Sequence, residues 1–359
     1  MSIARTTTPP ARRRFAFACA LAFAGGTAHA HVFCATSAAE LQQALTASSD
    51  GGLHNGEDNE IDLAPGTYTT GSATANGAFH YASSAPTGKI SVRGGYDASC
   101  VNPRPNAARA RLDGNHQTPV LSIHNAHAPI EVEQLTVQNG ESTGNGAGLD
   151  LGGGAGISVA FTVIKDNHTT RLGGGFSIHD SSLETTDYVF LESSLVIRNA
   201  ADQDFGAGSI TSDAAAVAVT HDTVYGNTTL GMGDSTGTGG LFLSTEVGYL
   251  GSSIFRGNTL YGFYLDTIDT GVAAYWNAYG NNGGHPVAPT SIGNTSTLPD
   301  FVDAAGGDFH LAPSSPLLGH SLSPLGHVVD IEGHAIPASG RRDVGVYEDT
   351  VFADAFDDG

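Results

Sequence analysis

Short runs of alternating apolar and polar residues recur along the middle of the chain, separated by glycine and asparagine. Five such copies are GAGLDL from Gly146, GGGFSI from Gly173, GAGSIT from Gly206, TGGLFL from Thr238 and LYGFYL from Leu260. From the start of each copy to the Asn that ends it, the chain uses 22, 27, 22, 21 and 22 residues. Alternation with period two predicts strands, and a near-constant unit with variable inserts predicts stacked repeats.

Three columns of mostly apolar residues recur in each unit, so we expect each coil to contribute three strands around one narrow core. The first column comprises Leu149/Leu151, Phe176/Ile178, Ser209/Thr211, Leu241/Leu243 and Phe263/Leu265. The second comprises Val159, Leu191, Val219, Leu250 and Ala273, and the third Ile164, Val196, Val224, Phe255 and Ala278. The predicted fold class is all-β, a parallel β-helix, with a short capping helix in SAAELQQAL, where Ser37 and Glu40 form a capping box.

An asparagine ends each unit, and we expect these residues to stack along one edge of the solenoid. The set is Asn139, Asn167, Asn199, Asn227, Asn258 and Asn281. Asn tolerates left-handed turn geometry, and stacked amides can hydrogen-bond from one coil to the next. The repeated Asn is therefore assigned a structural role.

The repeat resembles the right-handed parallel β-helix proteins of the pectate-lyase-like superfamily, over roughly residues 55–300. A leucine-rich repeat lacks its consensus here, and a β-sandwich would not give a constant coil. The resemblance implies a right-handed solenoid, and its enzymes act on polysaccharides in a groove along the outside. The predicted organisation is a signal peptide (1–30), an N-terminal cap (31–54), the β-helix (55–297), a C-terminal coil and cap (298–349) and an acidic tail (350–359).

The N-terminus has the form of a secretory signal, because ARRR precedes a short apolar run and Ala28-His29-Ala30 offers a cleavage site. The apolar run is too short to span a bilayer, so a secreted or outer-surface protein is predicted. Removing residues 1–30 takes away four arginines and no acid, which leaves 11 basic and 36 acidic side chains and a net charge of −25. Such a surface repels nucleic acid, and we expect a monomer.

Two cysteines remain after that cleavage, Cys34 and Cys100. An even count in an exported protein predicts one disulfide, which would pin the N-terminal segment to the body.

The motifs of the superfamily's enzymes are missing from the coils, so the sequence leaves catalysis open. No NTD, paired-Asp, GHG or RIK motif occurs there, and RPNAAR (Arg104 to Arg109) has the wrong spacing for the lyase motif. Lys165 and Arg256 are the candidate catalytic residues, since a Lys or Arg can take the proton beside a uronate carboxylate. A solvated side chain is the alternative for Lys165, and surface packing with a cation–π contact is the alternative for Arg256.

Outward positions carry the candidate ligand-binding residues. Tyr225, Arg256 and Tyr279 would form an aromatic–cation–aromatic stripe suited to sugar, and Phe242 would stack with Tyr264 on the first strand. Ordinary surface packing is the alternative for the stripe, and cover by the insert TTLGMGDSTG is the alternative for Phe242 and Tyr264.

Acidic loop residues carry the candidate metal site. Asp180, Asp202 and Asp204 could hold Ca²⁺, which would let an acidic protein meet a uronate polymer, although the fold requires no cofactor. Solvated acids are the alternative.

Three functions stay open on the sequence: binding of a glycan or surface partner, a polysaccharide lyase or hydrolase without the familiar motifs, and a passive adhesin or scaffold.

Overall fold

The structure is a computed structural model that describes residues 30–71, 77–230, 237–259, 263–265, 271–280, 282, 291–322, 329–337 and 340–348. Its one helix over these residues is α1 (Ala38–Ser48). The first strands are β1 (His31–Ala35), β2 (Asn59–Leu63), β3 (Gly66–Thr69), β4 (Phe79–Ser83), β5 (Ile90–Arg93), β6 (Ala110–Asp113), β7 (Leu121–Asn125), β8 (Ile130–Glu133), β9 (Thr136–Gln138) and β10 (Glu141–Ser142). The next are β11 (Leu149–Gly153), β12 (Ile157–Ala160), β13 (Val163–Lys165), β14 (His168–Thr169), β15 (Phe176–Asp180), β16 (Tyr188–Glu192), β17 (Leu195–Ile197), β18 (Ala200–Ala201), β19 (Gly208–Ser212), β20 (Ala216–Thr220) and β21 (Thr223–Tyr225). The last are β22 (Thr228–Thr229), β23 (Leu241–Ser244), β24 (Val247–Gly251), β25 (Ile254–Arg256), β26 (Phe263–Leu265), β27 (Gly271–Tyr275), β28 (Ala278–Gly280), β29 (Ser291–Ile292), β30 (Phe301–Asp303) and β31 (Asp308–Leu311).

The strands form a parallel β-helix, as the repeat predicted. Sheet one has the order β26-β23-β19-β15-β11-β7-β4, sheet two β1-β2-β5-β8-β12-β16-β20-β24-β27-β29, and sheet three β28-β25-β21-β17-β13-β9-β6-β3. The pairs within these sheets are parallel, and each strand pairs with its counterpart in the next coil. A fourth sheet of two-residue strands, β10-β14-β18-β22, joins sheet three to sheet one and was not predicted.

The inward columns form one continuous buried core, which confirms most of the predicted positions. Leu149, Phe176 and Leu241 of sheet one are fully buried, as are Val159, Leu191, Val219 and Leu250 of sheet two and Ile164, Val196 and Phe255 of sheet three. Because side chains alternate between the faces of a strand, the outward residues of all three sheets stay available for surface chemistry.

The predicted register is wrong by one residue in two places. In β19 the inward residues are Gly208 and Ile210, which pair with Phe176 and Ile178, whereas Ser209 and Thr211 do not occupy the inward register. The turn residue with positive φ before this strand is Phe205 (φ 61°), in the place that Gly173 (φ 72°) holds one coil earlier. This repeat unit therefore starts at Phe205, one residue before Gly206, where the sequence pattern places its start.

The second error lies in the last coil. Ala274, not Ala273, pairs with Leu250 in sheet two, and Tyr279, not Ala278, pairs with Phe255 in sheet three. Asn281 lies outside the described residues, and the neighbouring Asn282 accepts the hydrogen bonds expected of it.

The asparagine ladder is confirmed for four of the six predicted members, continued by Asn282. The side-chain Nδ2 of Asn167 donates to Oδ1 of Asn199 (2.9 Å), and the same bond links Asn199 to Asn227 (3.0 Å) and Asn227 to Asn258 (3.0 Å). Asn139 is not a member, because Gln138 pairs with Lys165, which places Asn139 beside Asp166 and Gly140 beside Asn167. The left-handed position is this preceding residue, with φ of 55° at Asn139 and 57° at Asp166.

A second polar ladder, which the sequence analysis missed, runs along the turn between sheets two and three. Backbone N–H groups donate to the side chain one coil further on: Thr162 to Ser194, Ser194 to Asp222, Asp222 to Ser253, Ser253 to Asn277 and Asn277 to Asn294. Its mixed residue types hide the repeat in the sequence.

The N-terminal end is closed by α1 and by a disulfide. Leu41 and Leu45 of α1 are fully buried, as predicted. The Ser37 hydroxyl caps the Glu40 N–H (3.3 Å). Cys34 and Cys100 are bonded, with their Cα atoms 5.6 Å apart. Among the described residues, no helix is long and apolar enough to cross a lipid bilayer.

The described residues of the C-terminal segment (298–322, 329–337 and 340–348) fold back along the outer face of sheet three. β30 and β31 pair antiparallel, and the Gly345 N–H donates to the Ser252 carbonyl (2.7 Å). Phe309, Ile331 and Val346 bury against Leu195 and Ile197. This segment covers the part of sheet three nearest the C-terminal end and leaves the N-terminal part open.

Candidate functional site

The aromatic stripe lies under the C-terminal segment, so the prediction that its side chains are exposed to solvent is wrong. The ring of Tyr225 meets those of Phe301 (5.8 Å between centroids) and Phe309 (5.1 Å) edge-on. Arg256 lies over the Phe301 ring, 5.9 Å from its centroid, and its guanidinium donates to the carbonyl of Pro299. The outward side chains form a packed contact because a later part of the chain covers them.

Tyr279 is not part of that stripe, because the last coil is shifted by one residue. Gly280 pairs with Arg256, while Tyr279 pairs with Phe255. The Tyr279 ring stacks on that of Phe255 with centroids 5.5 Å apart, and burial raises the pKa of its hydroxyl. This residue extends the core rather than the surface.

Phe242 and Tyr264 pair on adjacent strands of sheet one, in the register that the sequence predicts. The Phe242 ring also stacks on Phe205, with centroids 4.2 Å apart and planes inclined by 18°, so it is partly covered. The side chain of Tyr264 and residues 231–236 lie outside the described part of the chain. A ligand-binding role for this pair stays a prediction.

The three acids proposed as a metal site are not brought together. Asp180 is buried and accepts hydrogen bonds from the N–H groups of Gly156 (3.0 Å) and Ser182 (2.8 Å), and burial raises its pKa. Asp202 bonds Nε2 of His168 (3.1 Å). Asp204 caps the Phe205 N–H (2.8 Å). Each carboxylate accepts hydrogen bonds from different neighbours, so the three do not form one metal site. Binding of Ca²⁺ elsewhere on the protein stays a prediction.

The open part of sheet three forms a groove of about 490 Å³. Its floor consists of outward residues on β6, β9 and β13, and the covering segment closes one end with Gly306, Gly307 and Tyr347. The polar side chains in it are Arg111, Thr136, Gln138, Lys165 and Arg198. Arg111 pairs with Thr136 and Lys165 pairs with Gln138, so the two cationic residues lie two strands apart and two positions apart along the strands, with their Cα atoms about 12 Å from one another.

Two of the three cations in this groove have no acidic partner over the residues that the structure describes. Arg198 is neutralised, since its Nε (2.8 Å) and Nη2 (3.1 Å) bind the two oxygens of Asp166, and this contact raises its pKa. No salt bridge is formed by Arg111 or Lys165 in that part of the chain. An unpaired cation pair is notable in a chain with 15 basic and 36 acidic residues.

The nearest acid, Asp113, is held at the edge of the groove by amide donors. Its oxygens accept from Nε2 of Gln138 (2.7 Å), Nδ2 of Asn139 (3.1 Å) and the Asn115 N–H (2.8 Å). Burial opposes its ionisation, but these hydrogen bonds outweigh burial and hold the pKa of Asp113 below its ordinary value. The carboxylate lies in the same row as Gln138 and Lys165, and its hydrogen bonds are made to amide groups rather than to either cation.

A second groove, of about 390 Å³, lies on the outer face of sheet one and was also missed. His124 and His179 line it, with Nε2 of His124 3.2 Å from Oδ2 of Asp150. This hydrogen bond raises the pKa of His124. Gly152 leaves room for the imidazole, because a Cβ there would lie 2.5 Å from Nδ1 of His124.

Sequence reasoning found Lys165 but not Arg111 or Gln138. Both lie in coils before the first glycine-rich copy, where the repeat is harder to align. The signal that would have found them is the outward alternation in ARLD (Ala110–Asp113) and TVQ (Thr136–Gln138), continued into VIK at Val163–Lys165.

The chain resembles known proteins in its three-dimensional structure rather than in its sequence. No family model matches the chain, and no curated protein matches it. Among solved structures, that of the pectate lyase Pel9A is similar, with 14% sequence identity and a TM-score of 0.41 over 81% of this chain and 88% of that one.

Proposed function

We propose that this protein is an exported β-helix protein that binds an acidic glycan in the groove on sheet three. The observation that carries the proposal is the pair of unpaired cations, Arg111 and Lys165, in an open groove of an otherwise acidic protein. The disulfide between Cys34 and Cys100 supports the exported location, since such bonds persist in oxidising compartments.

The charge of the groove favours a ligand with regularly spaced carboxylates. Arg can bind a carboxylate with two parallel hydrogen bonds, and Lys binds it as a point charge. Two cations at separate positions along one groove suit a linear polymer that carries carboxylates along its length. The acidic remainder of the surface repels such a polymer elsewhere, so binding would be confined to the groove.

The shape of the groove also suits a polymer better than a small molecule. It runs across β6, β9 and β13 with Val163 between the polar side chains, and Gly306 and Tyr347 of the C-terminal segment line it. Val163 offers apolar surface for the C–H groups of a sugar, while Gln138 and Thr136 offer polar contacts.

The test is a titration of an acidic oligosaccharide, oligogalacturonate, into wild-type protein and into the variants Arg111→Ala and Lys165→Ala. A hydrogen bond to a charged group contributes roughly 1.5–3 kcal/mol, and exposure reduces this value. We therefore expect each variant to bind about five- to tenfold more weakly. The matched control is Lys89→Ala, since Lys89 is the other lysine of the chain and is paired with Glu131 (2.8 Å) on sheet two.

Equal affinity in wild-type protein, Arg111→Ala and Lys165→Ala would contradict the proposal. The same titrations separate the second candidate, a polysaccharide lyase, which the unpaired Lys165 also favours as a proton acceptor. A lyase would release unsaturated sugar ends, detected by their ultraviolet absorbance, and Lys165→Ala would abolish this release. A monomer at sedimentation equilibrium is expected in either case.

A further inference from the structure

Two histidines and a glutamate come together at the N-terminal end of the solenoid, and none of the three lines either groove. His31 is the first residue of β1, while His54 and Glu57 lie in the loop between α1 and β2. One ligand atom from each of the three side chains lies within 4.8 Å of the others, and all three side chains are partly exposed. The two imidazole rings stack with centroids 3.7 Å apart.

Backbone and side-chain hydrogen bonds hold these three residues in place. The amide of Asn59 donates to the carbonyls of His54 and Glu57, both at 2.9 Å. His31 pairs with Asn59 in the parallel register of β1 and β2, and its N–H donates to the Asp58 carbonyl (2.8 Å). The loop and the strand are therefore positioned by the same residue, Asn59, which is buried.

We propose that His31, His54 and Glu57 bind a divalent transition-metal ion of the zinc class. Two imidazole nitrogens and one carboxylate oxygen are a donor set suited to Zn²⁺, with a fourth position left for water. Ca²⁺ prefers six to eight oxygen ligands and does not suit the two nitrogens. The acidic surface of the protein raises the local concentration of cations around the site.

Small side-chain rotations complete the coordination. Tetrahedral zinc with bonds of about 2.0–2.1 Å places its ligand atoms about 3.4 Å apart, and the three atoms, which all lie within 4.8 Å of one another, are close enough for small movements to reach that separation. Nδ1 of His54 lies 3.0 Å from Oε2 of Glu57, already close to that separation. The stacked rings must tilt so that a nitrogen of each faces the ion, and partial exposure of both imidazoles permits this rotation.

The bound ion would connect β1 to the loop before β2 at the end of the molecule that α1 closes. Cys34, three residues after His31, already ties the same strand to Cys100. A ligand that binds only the folded state stabilises it. The metal would therefore act as a second cross-link between the N-terminal strand and the rest of the protein.

The experiment is isothermal titration of Zn²⁺ into the chelator-treated protein, followed by Co²⁺ substitution and its visible absorption spectrum. We expect a site with tetrahedral Co²⁺ absorption, which His54→Ala weakens at least about tenfold. The control is His127→Ala, an exposed histidine in the loop between β7 and β8, outside the cluster. It should leave affinity and spectrum unchanged. Zn²⁺ should raise the melting temperature of wild-type protein and of His127→Ala but not of His54→Ala.

If His54→Ala does not fold, Glu57→Gln provides the same comparison with a smaller change. The absence of Zn²⁺ binding by wild-type protein would overturn the proposal. So would equal affinity in the His54, Glu57 and His127 variants, which would leave the imidazole stack as a packing contact. Displacement of Zn²⁺ by a modest excess of Ca²⁺ would also contradict the assignment, since it would indicate an oxygen-ligand site.

Discussion

Removing one side-chain amide from the middle of the asparagine ladder, by the substitution Asn199→Ala, should lower the free energy of unfolding by several kcal/mol. Asn199 is fully buried. Its Nδ2 donates to the Ile164 carbonyl (2.9 Å) and to Oδ1 of Asn227 (3.0 Å). Its Oδ1 accepts from the backbone N–H (3.1 Å) and the Nδ2 (2.9 Å) of Asn167. The side chain therefore makes four hydrogen bonds that join three coils.

The magnitude follows from the groups that the substitution leaves without their partners. Nδ2 of Asn167 keeps its bond to the Val137 carbonyl, and Oδ1 of Asn227 keeps the Asn199 N–H. The backbone N–H of Asn167 loses its side-chain acceptor, and the carbonyl of Ile164 loses the amide donor. An unsatisfied buried polar group costs about 1–3 kcal/mol, and a small cavity adds to this. We expect a loss of roughly 3–5 kcal/mol in the free energy of unfolding.

The assay is urea unfolding followed by circular dichroism, with Asn139→Gly as the matched control. Asn139 ends the same sequence motif but lies outside the ladder, and its φ of 55° suits glycine. Later coils have Gly226 and Gly257 with φ of 65° and 67° at this left-handed turn. Asn139→Gly removes the partly exposed hydrogen bond from Asn139 to Asp113 (3.1 Å) but relieves the left-handed backbone, so it should cost about 1 kcal/mol. If Asn199→Ala costs no more than Asn139→Gly, the ladder does not contribute as described.

Two further substitutions test the core and the C-terminal segment. Gly208→Ala should destabilise the protein by about 1–3 kcal/mol, because its Cβ would lie 2.5 Å from Cδ2 of Phe176, and an unchanged melting temperature would contradict the register. Burial raises the pKa of Glu348 to about 8 from an ordinary value of 4.5. The folded state therefore holds this proton more tightly, and the stability it contributes is present below about pH 4.5 and is lost as pH rises through about 8. Glu348→Gln should therefore be more stable than wild-type protein at about pH 9, by at most a few kcal/mol, and equal to it at about pH 4. A parallel decline of both proteins with pH in urea unfolding would refute this.

The fold could be predicted because its determinants are local and repeated. Each coil needs inward apolar residues at fixed spacing, and the alternation around Val159, Leu191 and Val219 reports that spacing directly. The disulfide could be predicted for a different reason, because the two cysteines that remain after residue 30 allow only one pairing.

The register errors arose where two adjacent residues could serve the same role. In GNNGG both Asn281 and Asn282 fit the end of a unit, and the sequence pattern does not distinguish them. Before β19 the glycine at 206 resembles the start of a copy, yet Phe205 adopts the left-handed turn. A bulky residue at positive φ is uncommon, so its neighbour was the expected choice.

The site was harder to predict because it depends on contacts between distant parts of the chain. Tyr225 and Arg256 are outward residues, as expected, but residues 299–309 return to cover them. The same segment defines the groove that contains Lys165. No local pattern in the coils indicates which half of sheet three the C-terminal segment will occupy.

The most direct test of the central claim, that Arg111 and Lys165 recognise carboxylates, is a comparison of two ligands that differ only in charge. Oligogalacturonates of one length are titrated into wild-type protein as the free acid and as the methyl ester. The account predicts that the free acid binds and that esterification, which replaces each charge by a methyl ester, weakens binding by about tenfold or more, since each lost charge-assisted contact contributes on the order of 1 kcal/mol; the affinity for the free acid should also fall with added salt. Equal affinity for the acid and the ester would contradict it.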